Sequence, residues 1–170
     1  MLALFLIFTL QCQTKDTQLF LVYEEHCLIK IIIYIAIIFI GIQFITIDTK
    51  EHIKSDLKDE IVVRNEIKTI LKRSCYDCHS NDSTIPWYGN IAPSSWLVRL
   101  HINDGRKILN FSEFKKYNAE KQKDLFDRIE DSIVIRMPLA SYVWLHKDAS
   151  LSQEDKVKLK VWSKEEFSKI

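Results

Sequence analysis

The stretch "SCYDCHSNDSTIPWYGN", residues 74–90, sets two cysteines and a histidine within five positions: Cys75, Cys78 and His79. Three chemistries use such a group. In C-x-x-C-H the two thiols can add to the two vinyl groups of one porphyrin, and the adjacent imidazole then lies under the iron. Alternatively, the two thiols could join two of His79, His101 and His146 in a tetrahedral zinc site. The third chemistry is thiol–disulfide exchange, which calls for C-x-x-C at a helix N-terminus in a βαβ setting.

The flanking sequence separates the three. "KSDLKDEIVVRNEIKTILKRSC", residues 54–75, is predicted to be one helix. Its apolar residues Leu57, Ile61, Val62, Ile67, Ile70 and Leu71 recur mostly at three-to-four spacing. The cysteine pair therefore follows a helix, with no strand beside it, which disfavours thiol exchange. No second C-x-x-C or H-x-H knuckle follows, and His79 is too close to Cys78 to bind the same ion without strain, which disfavours zinc. The porphyrin clasp fits best, and it needs either a sixth iron ligand or an open position. "RMPL", residues 136–139, offers Met137, a thioether stiffened by Pro138, with His101 and His146 as alternatives.

The rest of the polar region reads as short helices and loops. "HSNDSTIPWYGNIAP" is turn-rich. "SSWLVRLHINDG" is a short helix with Ser94 or Ser95 as N-cap and Gly105 just past its end. "NAEKQKDLFDRIEDSIV" is a helix capped by Asn118, and "IRMPLASYVWLH" turns and becomes helical near Tyr142. "LSQEDKVKLKVWSKEEF" begins with Ser152 and Asp155 in capping-box spacing. With Gly 3 and Pro 3 in 170 residues, long turn-rich β architectures are disfavoured and the fold class is all-α. Four or five short helices bury a modest apolar area, which a large flat cofactor would complete. The net charge of +1 gives no case for nucleic acid.

The first third is different. "IIIYIAIIFIGIQFITI", residues 31–47, carries no charge. As a helix its seventeen residues would reach roughly 26 Å, against a hydrocarbon core of about 30 Å. No A-x-A-like cleavage site follows, so residues 28–47 are expected to form a single uncleaved transmembrane signal anchor, and 48–170 the functional domain. Residues 1–27 form an uncertain extension, with translation starting at Leu28 as an alternative; "TLQC" makes a poor lipoprotein box at Cys12. Lysines after the span point weakly to a cytoplasmic C-terminal side. Attachment of haem to thiols points instead to the periplasm.

"CYDCHSNDSTIPWYGNIAPSSWLVRLHINDGRKILNFSEF", followed by "MPLASYVWLHKDASLSQEDKVKLKVW", closely resembles the small membrane-anchored haem-binding domain family of Bacteroidetes-type bacteria, related to cytochrome c. Where that family often has Trp after "NFSE", this chain has Phe114. The resemblance implies a small cytochrome c-like helical domain around one covalent haem c on Cys75 and Cys78, with His79 as proximal ligand. It also implies a single-pass protein of the inner membrane with its C-terminal domain in the periplasm. Trp87, Trp96 and Tyr142 are candidate walls of the porphyrin, and Arg106 and Arg99 candidate propionate partners. Asn110 in "LNFS" is expected to hold a turn through its side chain. One-electron transfer to unidentified redox partners is the leading function, rather than enzymatic catalysis. A haem-based sensor, gas-binding module or peroxidase-like enzyme with an open sixth position is the alternative.

Overall fold

The computed structural model describes residues 17–48 and 56–170, with side chains from Cys27 onward. Residues 1–16, including Cys12, and residues 49–55 lie outside the described residues. Among the described residues there are seven α-helices and no strand, in line with the all-α expectation. Two units form, one ending at Thr46 and the other spanning Ile47–Ile170.

In the first unit, α1 runs over Thr17–Ile42. Among its described side chains, from Cys27 on, most apolar ones face outward, with Ile32, Ile35 and Ile40 each at least 59% exposed. The expected span over residues 28–47 differs from what is seen. The helix ends at Ile42, and the chain leaves it through a turn into irregular backbone. Gln43, whose amide donates to the Phe39 carbonyl, sits at that exit. Among the described residues no helix is long and apolar enough to cross a membrane.

The second unit contains α2 (Asn65–Ser74), α3 (Tyr76–His79), α4 (Ser94–Ile108), α5 (Ala119–Ile135), α6 (Ala140–Leu145) and α7 (Gln153–Lys169). Short 3₁₀ turns fill Leu57–Asp59, Trp87–Asn90, Phe111–Lys116 and Lys147–Ala149. The helix expected over 54–75 is only its second half. Ile61, Val62 and Val63 form a β-branched run that loses side-chain freedom in a helix. Here that run is not helical, and the Ile61 N–H donates to the Phe111 carbonyl at 2.9 Å.

The caps follow the sequence where short side chains reach the backbone. Asn118 accepts from the Lys121 N–H at 2.8 Å. Ser152 and Asp155 exchange both bonds of a capping box. Asp155 also takes the Arg73 guanidinium at 2.7 Å, tying the end of α2 to the start of α7. Burial raises the carboxyl's pKa, but bonds from Ser152 and Arg73 outweigh it and hold it below the usual range. Ser94, in contrast, does not cap α4: its hydroxyl donates to the Tyr88 and Ile91 carbonyls.

α5 packs on α7, and α2 closes the layer. Ile67, Ile70 and Leu71 of α2 meet Phe111, Phe114, Leu125, Phe126, Ile129, Ile133, Leu159 and Trp162 in one core. Trp162 is 1% exposed, with the Phe126 ring edge-on at 5.5 Å. Each fully buried side chain of this kind contributes about 1.5–3 kcal/mol. This core lies behind α3 and presents that short helix toward α4 and α6.

Candidate functional site

The site is one turn of chain. α2 stops at Cys75, whose φ of −131° is not helical. α3 then restarts, with the N–H groups of Cys78 and His79 both bonded to the Cys75 carbonyl at 3.2 and 2.9 Å. These two bonds keep Cys75, Cys78 and His79 within a single turn of chain. The two residues between the cysteines anchor the turn. Tyr76 is buried and stacks on Phe111 at 5.3 Å, and its hydroxyl donates to Glu60 at 3.1 Å. Lys68 bridges the same pair, donating to Glu60 and to the Tyr76 hydroxyl. Asp77 accepts from the Thr84 N–H at 3.1 Å and from the Tyr142 hydroxyl.

α4 crosses this turn at its glycine. A Cβ on Gly105 would stand 2.5 Å from the Cys78 carbonyl oxygen, so only glycine lets the two backbones approach this closely. The expected C-terminal position of Gly105 is thus corrected. It lies inside α4, which continues to Ile108, because the crossing needs it there.

Burial pushes the Cys75 thiol up to about 12, with the neighbouring Cys78 adding to the shift and Arg73 opposing it. Burial and Asp77 push Cys78 up to about 11. Both are protonated thiols at neutral pH, the opposite of the depressed pKa that a thiol-exchange nucleophile needs. The third group differs in kind. His79 Nδ1–H donates to the Leu109 carbonyl at 3.0 Å, and the ring meets Phe111 edge-on at 6.3 Å. Burial lowers the imidazole pKa, and the Leu109 and Gly105 carbonyls oppose that only partly. The ring is therefore neutral, with its proton on Nδ1 and its free lone pair on Nε2. That is the tautomer of a metal-ligating histidine oriented by a backbone carbonyl.

A buried polar network fixes that carbonyl. Asn110, beside Leu109, accepts from the Ser112 N–H at 3.0 Å, as expected of a turn-holding asparagine, and donates to Asn81 Oδ1 at 2.7 Å. The Asn81 N–H donates to Ser112 Oγ at 3.0 Å. Arg106 donates to the Ser80 carbonyl at 2.7 Å and to Ser83 Oγ at 2.8 Å, so its guanidinium braces the loop after His79. Ser80, Asn81, Ser83 and Ser112 were not singled out from the sequence; the signal available was the small polar run directly after His79. Asn110→Ala is expected to cost about 2–4 kcal/mol in urea unfolding, since it removes a cap and strands the buried Asn81 amide. Asn110→Asp keeps the cap but loses the donor to Asn81, and should fall between the two.

The other expected residues are placed as follows. Trp87 is 77% exposed, while Trp96 and Tyr142 are half-buried. Met137 is half-buried, and its N–H donates to the Ser132 carbonyl at 2.8 Å. His101 is exposed on α4. His146 is half-buried and stacks on Tyr142 at 4.3 Å. Among the described residues no three His, Cys, Asp or Glu side chains converge as a metal cage, so the second pair of ligands that a zinc site needs is not gathered. The elements flanking α3 also turn large apolar side chains outward, among them Leu97, Leu100, Trp144 and Leu145. Exposed apolar surface of this kind suits a flat apolar ligand. Two protonated thiols, a neutral imidazole with Nε2 free and apolar flanks together fit a haem.

No curated protein and no solved structure matches the chain. A family model described as "Haem-binding domain" matches residues 37–165, more than half of the sequence and all of the site. The chain belongs to the haem-binding domain family.

Proposed function

We propose that this protein is a membrane-tethered c-type cytochrome that carries one electron. Cys75 and Cys78 hold the porphyrin as thioethers, His79 Nε2 is the proximal ligand, and Met137 is the distal one. Bound haem supplies one-electron exchange at its iron, and His/Met ligation raises its potential and closes it to substrates. The observation that carries the reading is the neutral His79, with Nδ1 committed to Leu109 and set in one turn with two protonated thiols. Residues 48–170 form the periplasmic domain, where thiols can mature into haem thioethers. The outward-facing apolar side chains of α1 support a tether at the inner membrane.

The sixth position separates an electron carrier from a sensor or a peroxidase-like enzyme. The oxidised protein is expected to show a methionine-to-iron charge-transfer band that Met137→Leu abolishes, with covalent haem retained. Absence of that band in wild type, together with rapid CO binding on reduction, would overturn electron transfer in favour of an open-site module.

A further inference from the structure

The short helix α6 has no buried residue, so apolar packing does not set its place. Polar and ring contacts on two sides do. The Tyr142 hydroxyl donates to Asp77 Oδ2, inside the Cys–His turn. Burial, with Asp77 itself, raises the Tyr142 pKa, so this hydroxyl keeps its proton and remains a donor. The Tyr142 ring stacks on His146 at 4.3 Å and 18°. His146 Nδ1–H in turn lies between two acceptors, the Tyr142 carbonyl at 3.2 Å and the Tyr88 hydroxyl at 3.4 Å. Tyr88 belongs to the 3₁₀ turn Trp87–Asn90, which packs against α4. At the other end of the segment, the N–H groups of Arg136 and Met137 share the Ser132 carbonyl. Residues 137–146 are thus tied at one end, by Met137 itself, to α5 and at the other to the haem-binding turn.

We infer that Tyr142, Asp77, His146 and Tyr88 form a latch that positions the Met137-bearing segment over the iron, and so decide whether external ligands reach it. The inference rests on the reading of Met137 as distal ligand. Tyr142 and Asp77 are positioning residues that act through Met137 and do not touch the iron. The latch also gives His146 a role other than ligation.

The test uses full-length holoprotein, matured with haem, as wild type, Tyr142→Phe, Asp77→Ala and the double variant. Tyr142→Phe keeps the ring on His146 and removes only the hydroxyl. Two readouts are taken: the methionine-to-iron band, and imidazole titration of the oxidised iron. Each single variant should retain covalent haem, weaken the band and tighten imidazole binding about tenfold, the equilibrium worth of one charge-assisted hydrogen bond. The double variant should shift no further than Asp77→Ala alone, which already removes the Tyr142 bond together with the Thr84 one. A general loss of packing would instead add. If wild type shows the band, and Tyr142→Phe and Asp77→Ala leave both readouts unchanged, the latch is wrong and the cytochrome reading stands. If wild type lacks the band, the Met137 ligation falls and the latch with it. Should Tyr142→Phe fail to accumulate, Asp77→Ala carries the same comparison from the other side of the bond.

Discussion

Gly105→Ala is expected to destabilise the domain by about 2–3 kcal/mol, although alanine is the better helix former by about 1 kcal/mol. The new Cβ would stand 2.5 Å from the Cys78 carbonyl oxygen, 3.2 Å from its carbon and 3.3 Å from its Cβ. The two closest are backbone atoms of the Cys75–His79 turn and cannot rotate away. α4 must therefore lift from α3, and the lift moves Leu109, whose N–H is bonded to the Gly105 carbonyl and whose own carbonyl holds His79. The same substitution should thus lower haem attachment as well as stability. Gly89→Ala is the internal control. Its Cβ would meet Ile85 Cγ2 at 2.9 Å and Val98 Cγ1 at 3.3 Å, side-chain atoms that must shift, whereas the obstacle at Gly105 is backbone. Urea midpoints should fall for both variants, and further for Gly105→Ala. Equal losses would show that the α3–α4 crossing carries no special constraint.

The parts of this molecule legible in the sequence are those encoded within a few residues. The C-x-x-C-H turn, the Asn118 and Ser152 caps and the turn held by Asn110 all depend on contacts two to four positions apart. Those caps located the starts of α5 and α7 for the same reason. What could not be read depends on distant partners. Ile61 through Arg64 lie on a helical pattern, yet the Phe111 carbonyl and the β-branched run keep that stretch out of the helix. Gly105 resembles a helix terminator until α3 is seen pressed against it. Asn81 meets Ser112 across a separation of 31 residues, and Arg106 meets Ser80 across 26. Neither pairing leaves a local trace. Arg106, a candidate propionate partner in the sequence, also braces the loop after His79 through bonds that no local pattern encodes. At the N-terminus, residues 31–47 are uniformly apolar, but apolarity alone does not say where a helix stops, and α1 stops at Ile42.

The protonated thiols bear on the largest expected effect. Burial that pushes Cys75 up to about 12 and Cys78 up to about 11 makes the pair poor as exchange nucleophiles. Covalent attachment through both is the step on which the ligand set and the latch depend. It is tested on a denaturing gel stained for haem, run with full-length protein matured in a host that attaches haem to C-x-x-C-H, wild type beside Cys75→Ala/Cys78→Ala. Wild type should carry stain that survives denaturation, and the double variant should carry none while still accumulating as protein. Wild-type protein without covalent haem would contradict the cytochrome reading outright.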